Sequence, residues 1–424
     1  MRNLRIYLII IVSALTFSLY LPKIVKDFLA TPSSVQNIYY SPVTKDFIKV
    51  NVDKKNKKIK YTNFDESVEY TLDEYKKKRP FTFYYDLVKT KNFPEGFSQF
   101  QRNVNLIRSQ KSHIKVNPGI INTKLVNLYP LLESNPKYSS LTLPDELFTL
   151  NKNSITFINT ISNEENKEKT TFITNRLKEI GAKFPLKEAF GTPSTAKPFD
   201  EGYFLLDSNN FLFHMKQINN KIMLKKVDTK GVKTKFLLVK ENYHKQFYGL
   251  LVSQSKDVYL LTYNNYKLIK LPVKDFDYNS KSLMLSSTPY NKIITLKSYD
   301  FESNEKVIEK IVMDLNYNTI KSKELKYKID NGELYENISS LLLPFKLRFK
   351  KTENGIYTLK FYDISKISYI LYFIIAILLL VYYIYTKQSL KNKIYPLVLI
   401  SIGGVYTILA LFLFNKLNIE KGKK

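Results

Sequence analysis

Between Lys366 and Lys387 the chain reads ISYILYFIIAILLLVYYIYT (residues 367–386), about 20 consecutive residues without a charge. As a helix, that run is long enough to cross about 30 Å of hydrocarbon. Tyr369 and Tyr372 lie near one end, and Tyr382, Tyr383 and Tyr385 near the other. Amphipathic rings settle at those two depths, where hydrocarbon gives way to headgroups. The competing reading is a buried helix of a large soluble protein, in which uncharged runs of this length are unusual.

Toward the C-terminus lies a second run of about 22 uncharged residues, between Lys393 and Lys416. The two spans, 367–386 and 394–415, are joined by a short basic loop, 387–393, and succeeded by a tail, 416–424. So short a loop can only return the chain, which predicts a transmembrane helical hairpin. In the second span Gly403 and Gly404, with Ser401 close by, form a small-residue patch where a neighbouring backbone can approach closely.

At the other end of the chain, residues 6–22 make a third uncharged run, between Arg5 and Lys23. Arg2 and Arg5 before it resemble the basic region of a signal peptide. The run ends in Leu21-Pro22-Lys23-Ile24-Val25, without a small-x-small cleavage signal. An uncleaved signal anchor is expected. Basic residues ahead of a first span keep it inside, so residues 1–5 are read as cytoplasmic and the main body as extracytoplasmic. The location expected is the inner cell membrane, with the chain crossing it several times and the lipid bilayer as its first partner.

The stretch between anchors has the composition of a folded protein. The whole chain is 44% hydrophobic and 14% aromatic, far from the regime of disorder. With no cysteine, disulfides and thiolate metal sites are excluded. The formal charge of +28 favours anionic partners in general. Its lysines are spread thinly, however, and the densest runs, Lys54–Lys58 and Lys76–Arg79, read as decoration of a turn and a helix end. No nucleic-acid-binding motif is visible.

Residues 24–190 read as a mixed α/β region. Strands are expected at Ile38–Val43, Phe47–Val52, Ile59–Phe64 and Ser154–Ile158, and helices at Glu69–Lys78 and Lys167–Ile180. Pro118, Pro130, Pro136 and Pro144 limit the stretch between to short elements. Residues 191–365 read as antiparallel β without a credible helix. Gly202–Asp207 with Phe211–Met215 is echoed about 47 residues later by Gly249–Val252 with Val258–Leu261. Leu283–Ser286 with Ile293–Leu296, and Leu341–Phe349 with Ile356–Phe361, look like further copies. The spacing suits a meander or a partial propeller. The fold class is thus α+β, mostly β, membrane-anchored at both ends.

The usual signs of catalysis are missing. His113, His214 and His244 are not at metal-ligand spacing, and no nucleophile elbow, Walker loop or dinucleotide fingerprint occurs. His214, alternating with aromatics, reads as a satisfied, half-buried strand residue. Asp65-Glu66, Asp145-Glu146 and Asp200-Glu201 are adjacent pairs, which point apart on a strand and make poor acid/base dyads. No cofactor or metal is expected. The loop Phe190–Gly202 is the candidate interaction surface, with Thr192, Ser194, Thr195, Lys197, Asp200 and Glu201 held between and beside Pro193 and Pro198. The alternative is a linker whose residues serve its own turns.

Several segments carry a resemblance: Asn37–Thr44, Leu128–Ser134, Phe190–Lys197, Pro198–Phe204 and Leu212–Lys216. They resemble an uncharacterised bacterial membrane-protein family, a domain of unknown function, across nearly the full chain. The resemblance implies genes encoded beside those of ABC-transporter ATPases and permeases, and it brings no established functional residues. The function expected is a non-catalytic, membrane-anchored accessory or binding protein, with permease subunits as candidate partners. The alternatives are a cell-envelope hydrolase or glycan-modifying enzyme, and a membrane sensor.

Overall fold

The computed structural model describes residues 2–31, 34–124, 126–241, 245–300, 303–351, 357–387 and 393–421. Among the described residues three helices are long and apolar enough to cross a membrane, over Arg5–Leu29, Lys366–Tyr385 and Ile394–Phe414. The first helix runs Arg2–Leu29 in full, past the apolar stretch 6–22 and through Pro22 to carry Lys23, Lys26 and Asp27. The last runs Ile394–Lys421, so the expected tail 416–424 is helical as far as it is described. Most of the basic loop 387–393, and His244, lie outside the described residues.

Between these helices the described residues form six antiparallel sheets, A to F in chain order. Sheet A holds Ser34–Ser41, Asp46–Asp53, Lys58–Asn63 and Glu69–Tyr70. Sheet B holds Tyr129–Pro130, Glu146–Leu150 and Ile155–Asn159. Sheet C holds Glu188–Phe190, Tyr203–Leu206, Leu212–Ile218 and Lys221–Lys226, and sheet D Thr234–Val239, Phe247–Ser253, Val258–Thr262 and Leu268–Lys270. Sheet E runs Ser282–Ser287, Lys292–Asp300, Glu305–Met313 and Thr319–Lys328, with Ser112–Val116 added at its edge. Sheet F is the hairpin Phe345–Lys351 with Tyr357–Asp363.

Period-two alternation explains how the sheets pack. In Tyr203-Phe204-Leu205-Leu206 all four residues are buried, because both faces of sheet C are covered. Phe204 and Leu206 join a core shared with Leu250 and Leu260 of sheet D and Leu283 and Ile294 of sheet E. Tyr203 and Leu205 face the other way, onto Phe148 and Phe157 of sheet B and Ile173 and Leu177 of the helix Lys167–Glu179. Sheet A packs on the far side of sheet E, where Ile38, Tyr40 and Phe47 meet Ile308, Val312 and Leu325. The contacts thus run B, C, D, E, A.

Three expectations change. No barrel or propeller forms among the described residues: the repeated strand pairs do recur in sheets C, D and E, but the copy at Leu341–Phe361 yields only sheet F. A helix, Glu333–Leu342, stands in the region read as all β. Its run Leu341-Leu342-Leu343 passes straight into the strand starting at Phe345, so an apolar stretch read as strand is half helix. The boundary at 190/191 is crossed, because Glu188–Phe190 pairs with Tyr203–Leu206 and Ser112–Val116 pairs with Ser282–Ser287. Elsewhere the lysine run Lys54–Lys58 decorates a turn as expected, closed by the Asp53 carboxylate, which accepts the Asn56 amide at 2.9 Å.

The apolar helices and the sheets form a joint at Leu343, Phe345, Leu347 and Tyr406, with Phe17, Leu21 and Tyr369 packed around them. The Tyr372 hydroxyl donates to the Leu342 carbonyl at 2.9 Å, and the Tyr406 hydroxyl donates to the Phe345 carbonyl. Gly404 breaks the last helix at φ 52°, ψ −133°. A Cβ there would lie 2.5 Å from the Tyr372 ring and 3.1 Å from Pro344. The patch at Gly403 and Gly404 therefore receives an aromatic ring rather than a neighbouring backbone, and Gly403 meets only Thr407 of its own helix.

Gly404→Ala should destabilise the joint by about 1–3 kcal/mol from backbone strain alone, before the clash with Tyr372. Gly403→Ala asks that the Thr407 hydroxyl turn away and give up its bond to the Leu399 carbonyl. Thermal unfolding in mild detergent is expected to show a clear loss for the first variant and a small one for the second. Equal midpoints would contradict this account of the break.

Candidate functional site

The loop between Phe190 and Tyr203 connects two paired strands of sheet C, and its polar residues turn inward. The Lys197 ammonium donates to Asp200 Oδ1 at 2.6 Å, Glu241 Oε1 at 2.7 Å and the Thr192 carbonyl at 2.9 Å. Its three protons are thereby all used. Asp200 Oδ2 accepts the Gly202 amide at 2.8 Å and the Ser134 hydroxyl at 3.0 Å. Glu241 Oε2 accepts the Thr192 hydroxyl at 2.7 Å. The side chains of Lys197, Asp200 and Glu241 are 5%, 1% and 2% exposed. One ammonium and two carboxylates are thus sealed together where sheet C, the strand end of sheet D and the approach to sheet B converge.

Glu201 lies on the next face. Its carboxylate pairs with Lys216 at 3.2 Å and Lys245 at 3.9 Å, and its carbonyl lies 2.6 Å from His214 Nε2. A carbonyl can only accept, so Nε2 carries the proton and Nδ1 accepts from the Tyr266 hydroxyl at 2.8 Å. The imidazole stacks on Phe204 at 4.2 Å and is fully buried, further in than the half-buried strand position expected of it. Burial lowers its pKa to about 4.

The expectation of an exposed loop is therefore overturned for Lys197, Asp200 and Glu201, which are interior. Thr192 joins the same cluster, Ser194 accepts the Ala196 amide at 3.1 Å within the loop, and Thr195 is half-buried. Glu241 and Ser134 complete the cluster, and no local pattern announces them, since they lie 44 and 66 residues from the groups they bind. As arranged, these residues hold three layers of the fold together and leave no ammonium proton free for an outside partner.

Open surface is found instead beside the apolar helices. On sheet F, Phe345 and Leu347 are buried against the helices, but Phe349 continues the same face at 64% exposure. Its cross-strand neighbour Leu359 and the adjacent Phe361 are 50% and 54% exposed. Next to this face, a cavity of about 550 Å³ opens between the end of the first helix, helix Glu333–Leu342 and sheet F. It is lined by Lys23, Lys26, Lys346 and Arg348 against the single carboxylate of Glu336. Burial, together with the charges of Arg348 and Lys26, holds the Lys346 pKa below its usual value.

The chain matches the family model described as Domain of unknown function (DUF4857) over residues 37–309, and it belongs to that family. The match starts in the first strand of sheet A and ends in the third strand of sheet E. It includes the Lys197 cluster and excludes all three apolar helices. No curated protein matches the chain.

Lys197→Ala would leave two buried carboxylates without their cation, a loss of about 3–5 kcal/mol rather than the fraction of one expected of a surface lysine. The thermal midpoint should fall steeply, and a change within experimental error would show the cluster to be hydrated. His214 gives a pH signature. The unfolded chain takes up a proton near pH 6.5 and the folded chain only near pH 4. The stability this contributes is complete above pH 6.5 and is lost as the pH falls toward 4, on the order of 3 kcal/mol in all. His214→Gln should flatten that part of the stability profile, and an unchanged slope would contradict a neutral buried imidazole.

Proposed function

We propose that this member of the DUF4857 family is a non-catalytic, membrane-anchored accessory protein that binds an ABC-type transporter from the extracytoplasmic side. The observation that carries the reading is the exposed apolar face of sheet F, formed by Phe349, Leu359 and Phe361. It continues a face that is already buried on the apolar helices, and so adjoins the membrane without being covered. An exposed apolar patch in that position suits a partner that is itself in the membrane. The two tyrosine hydroxyls bonded to the backbone at Leu342 and Phe345 make this face rigid with respect to the helices. Arg2 and Arg5 at the start of the chain support the orientation. The acidic residues of the junction loop are engaged in internal ion pairs, which supports a structural role for them over acid/base chemistry.

Tagged protein extracted in mild detergent should bring down a permease subunit and its ATPase. Phe349→Lys with Leu359→Lys should abolish that recovery while leaving the thermal midpoint close to the wild type, since both residues are exposed. A wild-type preparation free of transporter subunits would overturn the reading. Undiminished recovery by the double variant would move the contact off sheet F.

A further inference from the structure

A cavity of about 260 Å³ lies between sheets A and E, closed on one side by Arg79 and Phe81. Lys310 occupies its floor. On the strand Glu305–Met313, Ile308, Lys310 and Val312 share the face turned to sheet A, so an amine stands where the apolar pattern calls for an aliphatic side chain. Lys310 is 7% exposed and makes no ion pair or hydrogen bond among the described residues. Its cross-strand neighbour Thr295 is 3% exposed with an unpartnered Oγ1, and Asn291 is 2% exposed with an unpartnered Nδ2.

Arg79 is a second cation in the lining. The Arg79 guanidinium lies 3.9 Å over the Tyr39 ring, and Lys310 Nζ lies 4.8 Å over the same ring. Arg79 donates to the Tyr75 hydroxyl, and to Thr82 Oγ1 at 3.1 Å, but to no carboxylate among the described residues. Nor does any described Asp or Glu line the cavity. Burial, with Arg79 and Lys297 as positive neighbours, lowers the Lys310 pKa to about 7. Contact with a ring face returns only part of what burying an unpaired ammonium costs. A protein that gained nothing from the charge would be more stable with an aliphatic residue there.

We propose that this cavity binds a small soluble phosphate-bearing molecule, whose phosphate sits between Arg79 and Lys310 and accepts from Asn291 Nδ2 and the Thr295 hydroxyl. Four donors, two of them charged, with no competing Asp or Glu among the described lining residues, define an oxyanion site. A phosphate dianion neutralises both cations, where a carboxylate neutralises one. None of the lining residues belongs to the three apolar helices, which separates the site from lipid headgroups. Phosphate binding here does not depend on a transporter partner.

The test is thermal unfolding of the full chain in detergent, titrated with inorganic phosphate against sodium chloride of equal ionic strength. Phosphate should raise the midpoint beyond chloride, and acetate should do so less. Lys310→Met should raise the midpoint of the unliganded protein and weaken phosphate binding about tenfold or more, the worth of one charged hydrogen bond. Arg79→Gln should weaken phosphate in the same way. Lys346→Gln, at the membrane-side cavity, should leave it unchanged. A wild type that responds equally to phosphate and chloride would overturn the proposal, as would a Lys310→Met protein that keeps the full phosphate response.

Discussion

A sheet has two faces, and the central strands of sheets C and D, Tyr203–Leu206 and Phe247–Ser253, expose neither to water. That constraint orders the rest of the fold. The strand Phe247–Ser253 is buried at every position, and so is Tyr203–Leu206. A sheet with two apolar faces must find a neighbour on each side, which is why sheets B to E lie face to face and sheet A closes the far side of E. It also fixes how polar groups can be carried inside. Between stacked sheets a buried donor left without a partner is costly, so such donors tend to find an acceptor within the protein. His214 finds the Glu201 carbonyl, and Lys197 finds three acceptors.

The same scarcity of partners shapes the joint with the apolar helices. A hydroxyl beside hydrocarbon has few groups to bond, and helix backbones have already used their own. Tyr372 and Tyr406 reach instead to carbonyls at Leu342 and Phe345, where the chain passes from helix Glu333–Leu342 into sheet F. Gly404 breaks the last helix where the Tyr372 ring and Pro344 pack closely against it. The stack is therefore held to the helices by side chains packed at a fixed angle as well as by the chain itself.

Much of this was legible in the sequence where the signal is local. The uncharged runs beginning at Ile6, Ile367 and Ile394 lie in the three apolar helices, and the helix Lys167–Glu179 ends within a residue of its expected limit. The recurrence of strand pairs after Gly202 and Gly249 was visible because sheets C and D are each built from consecutive strands. What could not be read is what depends on distant partners. Nothing near Ser112–Val116 announces that it will pair with Ser282–Ser287. Lys197 and Asp200 look like surface residues until Glu241 is placed beside them. Burial of a charge is decided by the partner, and the partner here is a sheet away.

Lys197 and Lys310 make the contrast sharp, since both are lysines inside one β stack. Lys197 has its three protons on three oxygens, two of them from carboxylates, and its charge is balanced within the fold. Lys310 has a ring face, a neighbouring arginine and no acceptor among the described residues. A balanced charge stabilises the arrangement that balances it and offers nothing further to a ligand. An unbalanced one, facing a cavity with further unpartnered polar atoms, is complete only with something of opposite sign in place. The sequence held a trace of this difference. In Ile308-Glu309-Lys310-Ile311-Val312 a strand places one lysine on the face where its flanking positions are aliphatic, and a cation on an apolar face needs a reason that the fold alone does not supply.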